Sequence, residues 1–221
     1  MSAASSANPV YTMAEFKLGQ PADNALAFLV ERATAIEHYA QVEQSLSHLF
    51  SDLLGTTFQL GGIVFFRMTN TNARNAVIGA LLEQRHGSTY EAFWNGTPNT
   101  PHRKGLFTLL RTIDSRRNEI VHWHTVNNVH VENDKAVSIL KLARPNSWSF
   151  PGEMQQITVT DMQAFSAMAD FVTRVLNMFA LVVSGRHPGI HGLQTWQDIF
   201  QRPCTYPPAE GHPLARTPPA P

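Results

Sequence analysis

One stretch of the chain combines residue types that can do chemistry at a spacing that lets them act together: Asp114-Ser-Arg-Arg-Asn-Glu-Ile-Val-His-Trp-His124. If it is helical, successive residues are offset by about 100°. Arg117, Asn118 and His122 then project into an arc of roughly 140°, with Asn118 and His122 one turn apart. A guanidinium offers a rigid fork of donors suited to phosphate. An imidazole can exchange a proton near neutral pH, and an amide can orient either neighbour. Together these are the parts needed for metal-free cleavage of RNA, a base for the 2′-hydroxyl proton and a cation for the phosphoryl oxygens.

Spacing alone is weak evidence. Thirteen arginines and ten histidines in 221 residues give roughly 0.6 chance matches to Arg-x4-His. A second match, Arg186 to His191, contains Pro188-Gly189, which a regular helix does not tolerate. Requiring Asn after the Arg reduces chance matches to a few per cent, about one in twenty of the looser pattern. The alternative is structural: Arg117 pairs with Asp114, and His122 caps its helix.

The elements that would position this motif read as mainly helical. Leu26, Leu29, Ala33, Ile36, Tyr39, Leu46, Phe50 and Leu53 form an apolar stripe over Asp23–Leu54, stopped by Gly55. Phe58–Met68 is read as a short helix despite Gly61-Gly62, and Asn72–Gln84 as another, with Gly87 after it. Thr100-Pro101 signals the start of the motif helix, which is expected to run to about Trp123. Residues 127–142 alternate Val and Ile around Asn133-Asp134, as a β-hairpin does. Thr160-x-x-Gln163 fits a capping box for a last long helix through Val183, closed by Gly185.

The expected architecture is therefore an all-α, up-and-down helical bundle over residues 21–200, with the hairpin 127–142 inserted before its last long helix. Flanking it would be a flexible segment, 1–20, and a proline-rich tail, 201–221; Pro203–Pro221 holds seven of the fourteen prolines.

Composition narrows the function classes. Seventeen basic and seventeen acidic side chains cancel, so any nucleic-acid contact must be local. One cysteine, Cys204, excludes an internal disulfide framework and a thiolate zinc site. His122, His124 and His130 lack Asp, Glu or Cys partners at ligand spacing, so no metal and no cofactor is expected. Met1–Pro9 has no secretory pattern, and the most apolar run, Met178–Val183, is short for a bilayer; the expectation is a cytoplasmic protein without membrane contact. Trp94, Trp123, Trp148 and Trp196 are scattered, as packing residues are, rather than interleaved with cations as on a stacking platform.

Arg117-Asn118-Glu119-Ile120-Val121-His122 resembles the Arg-Asn-x3-His signature of the HEPN superfamily (higher eukaryotes and prokaryotes nucleotide-binding). The run Gly62-Ile-Val-Phe-Phe-Arg-Met-Thr-Asn-Thr-Asn-Ala-Arg74 is similar to uncharacterised bacterial members, and the resemblance spans about Asp23–Trp123. It implies a helical bundle that dimerises with the two motif helices facing each other. It further implies a metal-independent endoribonuclease of toxin–antitoxin or defence type, acting on RNA, with a possible cognate antitoxin. Arg117 and His122 would be the catalytic pair and Asn118 their support. Where some active members carry Tyr, this chain has His124, a candidate second proton carrier. The superfamily also has members that bind RNA, a nucleotide or a protein without cutting, and that is the alternative function. Two residues outside the motif join the candidates. Glu43 falls on the first helix's apolar stripe and is expected to meet Arg117 or Asn118, unless it lies at the stripe's edge in water. Arg74 could contact phosphate or simply be solvated.

Overall fold

A computed structural model describes residues 24–97, 105–132, 135–145, 156–187, 190–191 and 194–215. The chain is predominantly helical with a small antiparallel sheet. The expected 1–20 segment and the Thr100-Pro101 start signal lie outside the described residues.

Helix α1, Ala25–Leu54, is the spine. It ends where Gly55 takes the left-handed conformation, φ 67°, with the amides of Gly55 and Thr56 returning to the carbonyls of Asp52 and Ser51. Its buried face is Phe28, Ala35, Tyr39, Val42, Leu46, Leu49, Phe50 and Leu53. This corrects the expected stripe in its first half: Leu26, Leu29 and Ile36 are exposed, at 77%, 60% and 42%. That half carries apolar residues on two faces, and helix α6, Val159–Val183, covers the Phe28 face.

Helix α2, Phe58–Arg67, is capped by the Thr57 hydroxyl accepting from the Leu60 amide, and folds back against α1. Gly61 is what makes the approach possible. A Cβ on Gly61 would sit 2.0 Å from the buried Ser51 hydroxyl, and one on Gly62 would meet Ser47 at 3.5 Å. Helix α3, Thr71–His86, is capped by Asn70 and followed by Gly87; α4 is Glu91–Asn95.

The motif helix α5, Leu106–His122, is followed immediately by strand β1, His124–Glu132, paired antiparallel with β2, Lys135–Ala143. The hairpin is thus longer than the 127–142 of the sequence reading. A third strand not foreseen, β3 (Gln156–Ile157), adds to β2. The Asn24 amide side chain makes both a donor and an acceptor bond with the backbone of Leu140, tying β2 to the start of α1. The capping box that starts α6 is Thr158 with Asp161, two residues before the expected Thr160/Gln163 pair. Burial disfavours the charged form of Asp161, and the hydrogen bonds from Thr158 overcome it, so the carboxyl titrates below its usual range.

By length and composition α6 is long and apolar enough to cross a membrane, and about half of its apolar stretch is buried within the protein. Phe179, on α6, contacts Tyr90, Phe93 and Phe200 with ring centroids 4.6–5.1 Å apart. After the short pair β4 (Ile190–His191) and β5 (Gln194–Thr195), helix α7, Trp196–Ile199, brings Phe200 to that cluster. The expected loose tail is packed as far as residue 215. Cys204 is buried, Tyr206 and His212 lie against Phe171, and Arg174 donates to the Leu214 carbonyl. Its aromatic and aliphatic residues find partners on α6 that composition alone does not reveal. Residues 216–221 lie outside the description.

Gly61→Ala should destabilise the fold by about 1–3 kcal/mol, the range for forcing extra methylenes into a packed contact. Denaturant unfolding measures this; a wild-type midpoint would show that α2 is not held against Ser51.

Candidate functional site

Both structural explanations for the motif are taken by other residues. Asp114, which could have paired with Arg117, instead accepts hydrogen bonds on one oxygen from the Tyr39 hydroxyl (3.0 Å) and the Thr71 hydroxyl (3.3 Å). His122 is not the cap of α5. That work is done by Arg32 of α1, whose guanidinium donates to the carbonyls of Ile120 (3.1 Å) and Val121 (3.1 Å). A cation at the C-terminal carbonyls also opposes the helix dipole. A third contact, 3.4 Å to the Thr125 hydroxyl, carries the clamp into β1.

Arg117 lies over the Tyr39 ring, its guanidinium carbon 4.5 Å from the centroid, and donates 2.8 Å to the Asn118 side-chain oxygen. No carboxylate among the described residues is within ion-pair distance of it. Its neighbour Arg116 differs, being neutralised by Glu119 at 2.9 Å. Tyr39 is a neutral donor: burial, the nearby Glu43 and Asp114 carboxylates and the bond to Asp114 push its phenol well above the usual range, and Arg117 offsets this only in part.

His122 is exposed at the end of α5 and shares an open depression of about 560 Å³ with Asn118, Ser115, Glu119, Trp123 and Arg144. Arg144 arrives through the hairpin register. His124 is opposite Ala143, so the residue after β2 returns beside the end of α5. Ser115 and Glu119 also border a second depression, with Arg111 and Arg116. Arg111, Ser115, Asn118 and His122 thus form one exposed stripe along α5. Its four-three-four spacing was legible in the sequence; Arg144 was not, because only strand pairing brings it there.

Within the chain, then, Asn118 sits between the other two motif residues: Arg117 turns towards Tyr39, and His122 towards Arg144. His124 is an exposed strand residue and does not line the His122 depression. Glu43 meets neither Arg117 nor Asn118 but pairs with Arg74 at 2.8 Å. Arg74 is correspondingly not solvated; its side chain is 10% exposed and its guanidinium carbon is 5.0 Å from the Phe65 centroid. The expected contact failed because α3, not α5, presents the nearer cation to that part of α1. Of the tryptophans, Trp94 and Trp196 are core residues, Trp123 is half-buried, and Trp148 lies outside the described residues. Among the described residues no group of three or more His, Cys, Asp or Glu could hold a metal ion.

Comparison with protein-family models, with curated proteins and with solved structures gave no match.

Removing the clamp tests how α5 is held. Arg32→Ala should cost about 2 kcal/mol, given roughly 1.5–3 kcal/mol for a hydrogen bond to a charged group. Arg32→Lys should recover only part, because one ammonium lacks the planar fork. Equal unfolding midpoints for all three proteins would remove the clamp from the account.

Proposed function

We propose that this chain is a HEPN-type, metal-independent endoribonuclease with Arg117 and His122 as its catalytic pair. The observation that carries the reading is that neither residue is committed to the structural role its position suggests. Arg117 has no carboxylate partner among the described residues and is oriented by Asn118 and the Tyr39 ring; His122 is exposed while Arg32 satisfies the carbonyls beside it. In the proposed reaction the exposed His122 imidazole takes the 2′-hydroxyl proton, the oxygen attacks the adjacent phosphorus, and the P–O5′ bond breaks as the imidazolium returns a proton to the 5′-oxygen. The products carry a cyclic phosphate and a 5′-hydroxyl. Arg117 neutralises charge on the phosphoryl oxygens. Because Arg117 and His122 diverge within a protomer, a site drawn from two motif helices, one from each copy of a homodimer, suits the geometry. Arg111, at one end of the stripe, and Arg144, beside the other, would hold the RNA backbone on a chain of zero net charge. In a cell the setting would be cytoplasmic, as a toxin or defence protein with a cognate antitoxin.

The Arg117–Tyr39 contact favours a second reading, in which the motif anchors α5 to α1 in a module that binds without cutting. The two are separable. Purified protein incubated with RNA in chelator should cut it, and His122→Ala should lower the rate by about 10²–10⁴-fold, the range for a lost general acid–base group. Arg117→Ala should do likewise while leaving the melting temperature near wild type. An inert wild type, or variants that cut equally well, would overturn the nuclease; a marked loss of stability in Arg117→Ala would favour the anchor.

A further inference from the structure

Helix α2 has one face on α1 and nothing among the described residues on the other. Phe58, Leu60, Ile63, Val64 and Phe66 are each 46–62% exposed on a ten-residue helix whose only charge is Arg67. A helix that is apolar all round is normally covered all round. A second uncovered surface lies on α1. Leu29, Ala33, Ile36, Ala40, Ser47 and Ser51 fall within roughly 60° of arc on that helix. Ser47 and Ser51 are the part against which α2 is seated; Leu29, Ala33, Ile36 and Ala40, about two to five turns earlier, are exposed. The two surfaces are therefore complementary in kind. One is a bulky apolar helix, and the other continues the small-residue and apolar stripe that already accepts such a helix.

We propose that a second copy of this chain covers these surfaces, α2 of each protomer docking on the Leu29–Ile36 stripe of the other. A two-fold axis makes the exchange reciprocal and closed, so both surfaces are buried at once. The area is sufficient. With Leu26 and Val30 included, the exposed side chains present on the order of 900 Å², above the roughly 300–600 Å² of the largest patch on a typical monomer and near the roughly 800 Å² per partner of a standard interface. Charge points the same way. An interfacial lipid-binding helix carries Lys and Arg on a polar face, whereas α2 has Arg67 alone, and an uncharged surface matches a copy of itself. The interface rests on these exposed faces and not on the motif, although the composite site of the proposed nuclease also needs a homodimer. A dimer that cuts no RNA overturns the nuclease and leaves the interface standing, whereas a dimer insensitive to the glutamate variants overturns the interface alone.

Sedimentation of the full chain at about 10 µM should show a dimer. Ile63→Glu and Ile36→Glu should each weaken it at least tenfold, roughly one decade in Kd, with unchanged circular dichroism and a melting temperature that depends less on protein concentration than that of the wild type. Val129→Glu, at an exposed apolar position on the hairpin, should leave it intact. Ile36→Cys/Ile63→Cys should form a disulfide between copies on mild oxidation. The native thiol will not interfere, because Cys204 is buried and its pKa is pushed up to about 12 by that burial. A monomeric wild type, glutamate variants that remain dimeric, or a monomer that co-sediments with anionic phospholipid vesicles would each overturn the proposal.

Discussion

The placement of the motif depends on one guanidinium. A helix end leaves carbonyls without partners, and a helix that runs straight into a strand, as α5 does, has no room for a glycine cap. Arg32 supplies the donors from outside, across 88 and 89 residues of sequence, and so fixes both where α5 stops and the direction in which β1 leaves. Two consequences follow. His122 is released from capping and stays exposed, and the hairpin register then sets Arg144 beside it.

The same helix that carries Arg32 meets one neighbour after another along its length. Tyr39 stacks under Arg117 and donates to Asp114; Glu43 pairs with Arg74; Ser47 and Ser51 receive the glycines of α2. α1 is thus less a core helix with a polar back than a rack on which α2, α3 and α5 are registered. Charge is divided accordingly. Arg32, Arg74, Arg116, Arg174 and Arg186 are engaged with carbonyls or carboxylates, whereas Arg117 and the groove-lining Arg111 and Arg144 have no carboxylate in ion-pair contact among the described residues. A protein with no net charge can still leave individual cations without a carboxylate, because Glu43, Asp52, Glu119 and Asp170 are each taken by one arginine.

Where sequence reasoning went astray, a shared cause is visible. The first half of α1 has two apolar faces, and periodicity cannot say which one a neighbour will cover; α6 took Phe28 and left Leu29 outside. Glu43 is expected either to meet Arg117 or Asn118 or to lie at the stripe's edge in water; it is half-buried and paired, and its partner comes from α3. Gly61-Gly62 weakens a helical reading by propensity, yet Gly61 is what lets the helix lie close on α1, since a side chain there would collide with Ser51.

Sequence by itself determined what local chemistry dictates: the predominantly helical class, the stop at Gly55, the hairpin's alternation, and the Arg117, Asn118 and His122 motif near the end of a helix. Capping, periodicity and left-handed glycine are properties of a few adjacent residues, so they are written in short windows. Tertiary structure alone decided that Arg32 caps α5, that Tyr39 and Thr71 occupy Asp114, that Arg144 joins His122, and that the tail to residue 215 packs on α6. Those contacts join residues far apart in the chain, and which distant groups meet is set by how whole faces bury against one another.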